Sequence, residues 1–309
     1  MKTEYASQRT RYCLVAANED RLERATAGLP SNAPNAQQMR VVKMGFLRQS
    51  SIRARKLACP ANVVVSAQAA DRSVWEGPFW FTKPSNRFVA DHGAPTALAT
   101  AAALLCIASN EPSSLVVVMP SDFWVARGSV LTVAIDKVCG LLRINPETVA
   151  TLGIVDNHME IDEDYLVVGP NNPQKGAVIQ ARINRPDPGI ARQLINEGAM
   201  IASGILLGYA QAFAARIYKY WPHLAQELRD SLQLHSHSEA EHTLVADTYR
   251  KIPRSVISSM RLSPPTFPMR AFRVQGSGWC SRKPFGHERS QSGNCRRANP
   301  YELNRVSTD

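Results

Sequence analysis

No stretch of the 309 residues stays apolar for the roughly 18 positions that a membrane-spanning helix needs. The first ten residues, Met1 to Thr10, lack the apolar core of a secretory leader. Both absences point to a cytoplasmic protein with no membrane partner. The six cysteines, Cys13, Cys59, Cys106, Cys139, Cys280 and Cys295, form no CxxC pair and show no zinc-ligand spacing. A zinc ribbon and a dithiol redox centre are thereby excluded, and buried free thiols are expected. No internal repeat recurs, and no RNA- or DNA-binding signature is present.

Acidic side chains are scarce at one end. Residues 250–309 hold 12 Lys and Arg against 3 Asp and Glu, whereas residues 1–249 hold 24 against 23. The net charge of +10 therefore lies almost wholly in a segment rich in Ser, Pro and Arg. Residues 288–309 are expected to be a disordered, solvated basic tail. Such a tail can attract an anionic surface or nucleic acid, but without a recognition signature nucleic acid is the less favoured partner. His235, His237 and His242 form the only local histidine cluster, which suits a solvated loop better than zinc.

What is present is enough apolar chain, 44% of residues, for a sizeable core in one large or two smaller domains. Short β-branched runs read as strands: Tyr12 to Ala17, Asn62 to Ser66, Leu115 to Met119, Val149 to Val155, Leu166 to Val168 and Ala177 to Ile183. Helices are expected over Phe46 to Leu57, Pro95 to Ile107, Val130 to Leu142, Gly189 to Glu197, and Tyr209 to Leu232 with a break near Pro222. Leu234 to Glu241 reads as a loop. Alternation of this kind predicts an α/β fold with a mixed, mainly parallel central sheet flanked by helices.

The strongest local signal is Leu115-Val-Val-Val-Met119, followed by Pro120-Ser121-Asp122. Five apolar residues in a row suit a strand buried on both faces. Ligands of parallel sheets gather at the carboxyl ends of the strands. A carboxylate placed there is well sited to hold a divalent metal against phosphate oxygens.

Several segments, taken in order, resemble the sugar-phosphate nucleotidyltransferases, and most of all mannose-1-phosphate guanylyltransferases. Val116 to Asp122 resembles their Leu-Val-Leu-Pro-Ala-Asp-His. Ala90 to Ala97, containing Gly93-Ala94-Pro95, resembles an Arg-Asn-Thr-Ala-Pro stretch that opens a helix. Thr151-Leu-Gly153-Ile-Val155, Glu160 and Tyr165 resemble a Thr-Phe-Gly-Ile strand and its following turn. Asn184-Arg185-Pro186-Asp187 stands where the family has Glu-Lys-Pro-Asp. Gly198 to Ile205 resembles Gly-x-x-Trp-Asn-Ser-Gly-Ile, and Gly278-Trp279-Cys280-Ser281 resembles Gly-Trp-Cys-Asp.

The resemblance implies a Rossmann-like nucleotidyltransferase domain over residues 12–287. It implies formation of GDP-mannose and pyrophosphate from GTP and mannose 1-phosphate with magnesium. Homo-oligomerisation is left open. On the matching positions, Asp122 would hold the metal and Arg21 and Arg185 would contact phosphates as catalytic groups. Gly93, Ala94, Pro95, Gly153, Glu160, Ser203 and Gly204 would line the substrates.

The chain departs from the family pattern where the chemistry is done. The loop after the first strand is Ala17-Asn18-Glu19-Asp20-Arg21-Leu22, with none of the family's glycines and with two added carboxylates. Glycine serves such a loop because close backbone approach to phosphate leaves no room for a Cβ, and carboxylates there repel a triphosphate. The second metal carboxylate is Ser281, the family lysine is Arg185, and the asparagine before Ser203 is Ala202. Two functions therefore stand: a divergent nucleotidyltransferase, or a catalytically inactive member of the fold that binds a nucleotide, a nucleotide-sugar or a protein partner.

Overall fold

The computed structural model describes residues 11–17, 36–91, 96–122, 124–125, 128–155, 163–170, 172, 175–235, 240–244, 269–275 and 279–280. The loop at residues 18–24 and the basic tail at 288–309 lie outside them.

The chain begins with β1 (Arg11–Ala16), α1 (Ala36–Leu57), β2 (Val63–Gln68), the short α2 (Arg72–Trp75) and β3 (Arg87–Ala90). It continues through α3 (Thr96–Asn110), β4 (Leu115–Pro120), β5 (Trp124–Val125) and α4 (Gly128–Ile144). Next come β6 (Ala150–Val155), β7 (Tyr165–Val168), β8 (Ala177–Ile183), α5 (Pro188–Asn196) and β9 (Met200–Tyr209). The last elements are α6 (Ala210–Tyr220), α7 (Pro222–His235), β10 (His242–Leu244), β11 (Arg270–Gln275) and β12 (Trp279–Cys280). No helix among the described residues is long and apolar enough to cross a membrane.

Strands β1, β2 and β4 are buried on both faces, as their unbroken apolar runs require. Alternate side chains serve two cores. Cys13, Val15, Val63, Val65, Val117 and Met119 face α1 and α4, meeting Leu47, Leu57, Leu131 and Ile135. Leu14, Val64, Val116 and Val118 face α3, α6 and α7, meeting Leu98, Leu104, Phe213 and Leu224. Helix α3 is apolar nearly all round because it is caught between the sheet and the pair α6 and α7. Pro222 ends one helix and starts the next: α6 stops at Tyr220, and Pro222 occupies the first position of α7.

Ten strands form one sheet in the order β10-β3-β2-β1-β4-β9-β6-β11-β8-β7. The expectation of an α/β fold with flanking helices holds, but that of a mainly parallel sheet holds for one half only. Pairs β10–β3, β3–β2, β2–β1 and β1–β4 are parallel. Beyond β4, strand β9 runs antiparallel to β4, β6 and β7, and β8 runs antiparallel to β7 and β11. Only β6 and β11 are parallel there. The extra β9–β7 pairing closes β9, β6, β11, β8 and β7 into a ring, a small barrel fused to the open sheet.

The physical reason is β9. It is ten residues long and sits in the middle of the sheet, yet Ser203-Gly204 interrupts its apolar run. A helix expected over Phe46 to Leu57 is likewise longer, because Gln37, Gln38, Met39 and Arg40 are good helix formers despite their polarity.

Candidate functional site at the end of the fourth strand

The carboxyl ends of β1 and β4 lie side by side, with Ala16 registered on Pro120. Past that pair, the Ser121 backbone N–H donates to the Ala16 carbonyl oxygen (2.9 Å) and the Ala17 N–H to the Ser66 carbonyl oxygen at the end of β2 (2.8 Å). The hydroxyl of Ser50, fully buried in α1, donates to the Ser121 carbonyl oxygen (3.2 Å). Backbone and helix together therefore fix the two residues before Asp122. Asp122 itself is half-buried at the rim. The signal read from sequence, a carboxylate at the carboxyl end of a buried parallel strand, is where the structure puts it.

Strand β9 meets this rim from the other side. The last β4–β9 pair is Val118 with Leu206, two residues beyond Gly204. On its opposite edge β9 pairs with β6, where Thr151 faces Leu206 and Gly153 faces Ala202. Three residues of β9, Ser203 to Ile205, thus stand opposite Leu152 alone, which is a bulge. Gly204 takes φ +78°, a left-handed conformation that glycine adopts without strain. Thr151 Oγ1 donates to the Ile205 carbonyl oxygen (2.9 Å), and the Ile205 N–H donates to Ser203 Oγ (3.0 Å). The buried Ser203 hydroxyl therefore serves the bulge, while Gly204 is the exposed residue of the strand.

Gly153 is a packing position. A Cβ there would lie 2.5 Å from Met200 Sδ and 2.9 Å from Met200 Cβ. Ala202 belongs to an apolar cluster with Leu166, Ala177, Met200 and Ala271, and its N–H donates to the Asp164 carbonyl oxygen (2.8 Å).

Arg185 stands on the same rim, two strands away. Ile183, Tyr165, Ile201 and Ile154 form one row across β8, β7, β9 and β6, so Ile183 and Ile201 are about 10 Å apart. Arg185 follows Ile183 in the direction in which Ser203 follows Ile201. It is exposed and has φ 42°, the only positive φ of a non-glycine among the described residues. A residue before proline avoids this conformation on steric grounds. Here the turn buries Pro186 and leads to Asp187 and Pro188 at the start of α5.

Trp279 and Cys280 return to the end of β4. They pair antiparallel with Val125 and Trp124, so the segment resembling Gly-Trp-Cys-Asp lies against residues that closely follow Asp122. Arg21, Gly93, Ala94, Pro95, Glu160 and Ser281 fall outside the described residues.

Two supports of the site carry no sequence signal that singled them out. They are Ser50 and the Arg182–Asp164 pair, in which Arg182 Nε donates to Asp164 Oδ2 (3.1 Å). A buried serine pair, Ser50-Ser51, inside an otherwise basic helix was the available clue.

As a resident metal centre the site is thin. No group of three or more His, Cys, Asp and Glu able to hold a metal occurs among the described residues. His242 stacks on Phe88 (centroids 4.6 Å apart) in β10. A magnesium ion keeps several waters and takes one or two protein carboxylates, so Asp122 would suit such an ion as a single ligand.

The half-parallel sheet, covered by helices on both faces and continued through one long bulged strand into a closed ring, is a fold shared with solved structures. Among solved structures the chain is similar to mannose-1-phosphate geranyltransferase from Thermus thermophilus, with 15% identity and a TM-score of 0.63, covering 88% of this chain and 76% of that one. It is also similar to mannose-6-phosphate isomerase from Helicobacter pylori, with 14% identity and a TM-score of 0.58, covering 85% and 98%. At such identities the likeness is one of fold. Comparison of the sequence with protein-family models and with curated proteins gives no match.

Proposed function

We propose that the chain is a sugar-phosphate nucleotidyltransferase that joins mannose 1-phosphate to GTP and releases pyrophosphate. The observation that carries this reading is the delivery of Asp122 by β4 to the shared carboxyl ends of β1 and β4, with β12 paired to the adjoining β5. Two solved structures similar in fold are each named for a mannose phosphate.

In the proposed reaction an oxygen of the sugar phosphate attacks the α-phosphorus of GTP in line. The bond from that phosphorus to the bridging oxygen breaks, and pyrophosphate departs with the electron pair. Magnesium, when bound, would neutralise charge on the phosphate oxygens. The chain's own part is positioning and charge. Asp122 would hold the metal-bearing phosphate at the strand ends. Arg185 would present a guanidinium from the same rim, two strands away, and Arg21 would supply another. Gly204 offers the sugar phosphate a backbone without a side chain beside the end of β4.

The test is direct: GTP, mannose 1-phosphate and magnesium are incubated with the protein, and GDP-mannose is measured. Product that falls at least about 100-fold in Asp122→Ala supports the reading. No product from the unaltered protein overturns catalysis.

A second reading, an inactive nucleotide or nucleotide-sugar binder, is favoured by one structural fact. Ala202 puts an apolar, packed side chain where the family resemblance expects a hydrogen-bonding asparagine. Calorimetry separates the two: GDP-mannose or GTP binding without turnover supports the binder, and absence of both points to a protein partner.

A further inference from the structure

The outer face of α1 is basic and carries exposed apolar side chains. The helix carries six Lys and Arg (Arg40, Lys43, Arg48, Arg53, Arg55, Lys56) and no Asp or Glu in 22 residues. Its inner face, with Val42, Leu47, Ser50, Ala54 and Leu57, is buried against the sheet. At 100° per residue, Val41, Arg48, Ile52, Arg55 and Lys56 fall within a stripe about 100° wide on the opposite side. All five are exposed. Val41 and Ile52 are 48% and 42% exposed, about 16 Å apart along the helix.

A second element extends the stripe. Ser51 Oγ donates to the Pro78 carbonyl oxygen (2.7 Å), tying the segment Gly77-Pro78-Phe79-Trp80-Phe81 to α1. Phe79 is fully buried and anchors the segment. The Arg55 guanidinium lies over the Phe81 ring (5.4 Å), and Trp80 meets Phe81 edge-on (6.2 Å, 87°). Trp80 is left 74% exposed, the most exposed large apolar side chain among the described residues, with Lys83 exposed beyond it.

We propose that this face, Trp80 with Ile52 and Val41 among Arg48, Arg55, Lys56 and Lys83, binds the surface of an anionic phospholipid bilayer, a peripheral contact that departs from the sequence-based expectation of no membrane partner and needs no membrane-spanning helix. An exposed indole suits the headgroup level of a membrane, where its apolar body and N–H are both accommodated. Lysine and arginine attract anionic headgroups while their stems lie on the apolar boundary. Apolar insertion and basic charge together make a reversible peripheral contact. A single-stranded nucleic acid is the poorer fit, because only Trp80 offers bases a free ring: Val41 and Ile52 have none, and Phe81 is covered by Arg55 and Trp80. The face belongs to the helix layer, whereas Asp122 lies at the strand ends. It therefore leaves the proposed nucleotide site open.

The experiment uses the full chain and sedimentation with vesicles of phosphatidylcholine, with and without about 30 mol % phosphatidylserine. Expected are binding to the anionic vesicles only and a steep loss of affinity with salt. Arg55→Ala with Lys56→Ala is expected to lower affinity about 25-fold, at about fivefold per charge. Brominated lipid should quench tryptophan emission in the unaltered protein and not in Trp80→Phe. Thermal unfolding of these exposed-site variants checks that they are folded.

Three results would overturn the proposal: no anionic-vesicle binding, affinity unchanged in the double variant, or a single-stranded oligonucleotide binding this face more tightly than the vesicles. Binding retained in the double variant would place any lipid affinity elsewhere in the chain. Deletion of residues 288–309 should leave the Trp80 quenching in place.

Discussion

The hydroxyl of Ser50 donates to the carbonyl oxygen of Ser121, 71 residues away, and both residues are buried. This one bond couples α1 to the turn that carries Asp122. Ser50→Ala removes the donor without creating bulk. It is expected to lower stability by about 1 kcal/mol, read from urea unfolding. On the proposed function it should also weaken magnesium-dependent nucleotide binding, because Asp122 loses a fixed neighbour. Unchanged affinity at reduced stability would confine Ser50 to a structural part.

Gly153 and Met200 make a second obligatory contact. The Cβ of Gly153→Ala would fall 2.9 Å from Met200 Cβ, which is no flexible tip that can swing aside. Overpacking of this kind is expected to cost about 1–3 kcal/mol. Adding Met200→Ala should recover part of that loss, so the double-mutant cycle gives a coupling of about 1 kcal/mol. Additive losses would mean that the two residues do not compete for the same space.

These contacts show where sequence reading reaches and where it stops. The strands β1, β2 and β4 are legible because an unbroken β-branched run has few alternatives to a strand buried on both faces. Asp122 is legible with them, since Pro120 ends the run and the carboxylate follows at once. Strand β9 is not, because Ser203-Gly204 breaks its pattern at the bulge, and the break hides the antiparallel strand that splits the sheet in two. The place of Met200 against Gly153 depends on β9 and is hidden with it. Short elements such as β3 and β10 carry too few residues for a period to show. The left-handed backbone of Arg185 is invisible in sequence, since the following Pro186 argues for an extended residue.

The buried thiols set an alkaline limit. Burial pushes Cys13 from its ordinary value near 9 up to about 12, and it raises Cys106 and Cys139 as well. Burial, then the hydrogen bond to Glu111, also raises Tyr12. Each folded group holds its proton to a higher pH than its unfolded counterpart. Stability is therefore fully present below about pH 9 and falls as pH rises toward 12. For Cys13 alone the slope in that window is about 1.4 kcal/mol per pH unit. Denaturation at pH 8 and pH 10 should show this fall, and Cys13→Ala should show a smaller one at lower overall stability. Thiol reagents at pH 8 should leave folded Cys13 unmodified.

Arg185 sets stability against function. Its φ of 42° is one that side-chain-bearing residues rarely adopt, and the following proline makes it less favourable still. Strain of this sort costs about 1–3 kcal/mol. Arg185→Gly removes the strain but gives the unfolded chain more freedom, so the net gain is expected to be at most about 1 kcal/mol. The same change deletes the guanidinium from the rim facing the bulge of β9. If the turn exists to aim that charge, Arg185→Gly will be more stable than the parent and bind GTP or GDP-mannose at least about tenfold more weakly. Arg185→Lys keeps the charge and the strain, so its affinity should fall between the two. Higher stability with undiminished affinity would show that the strained turn serves only to bury Pro186 and start α5.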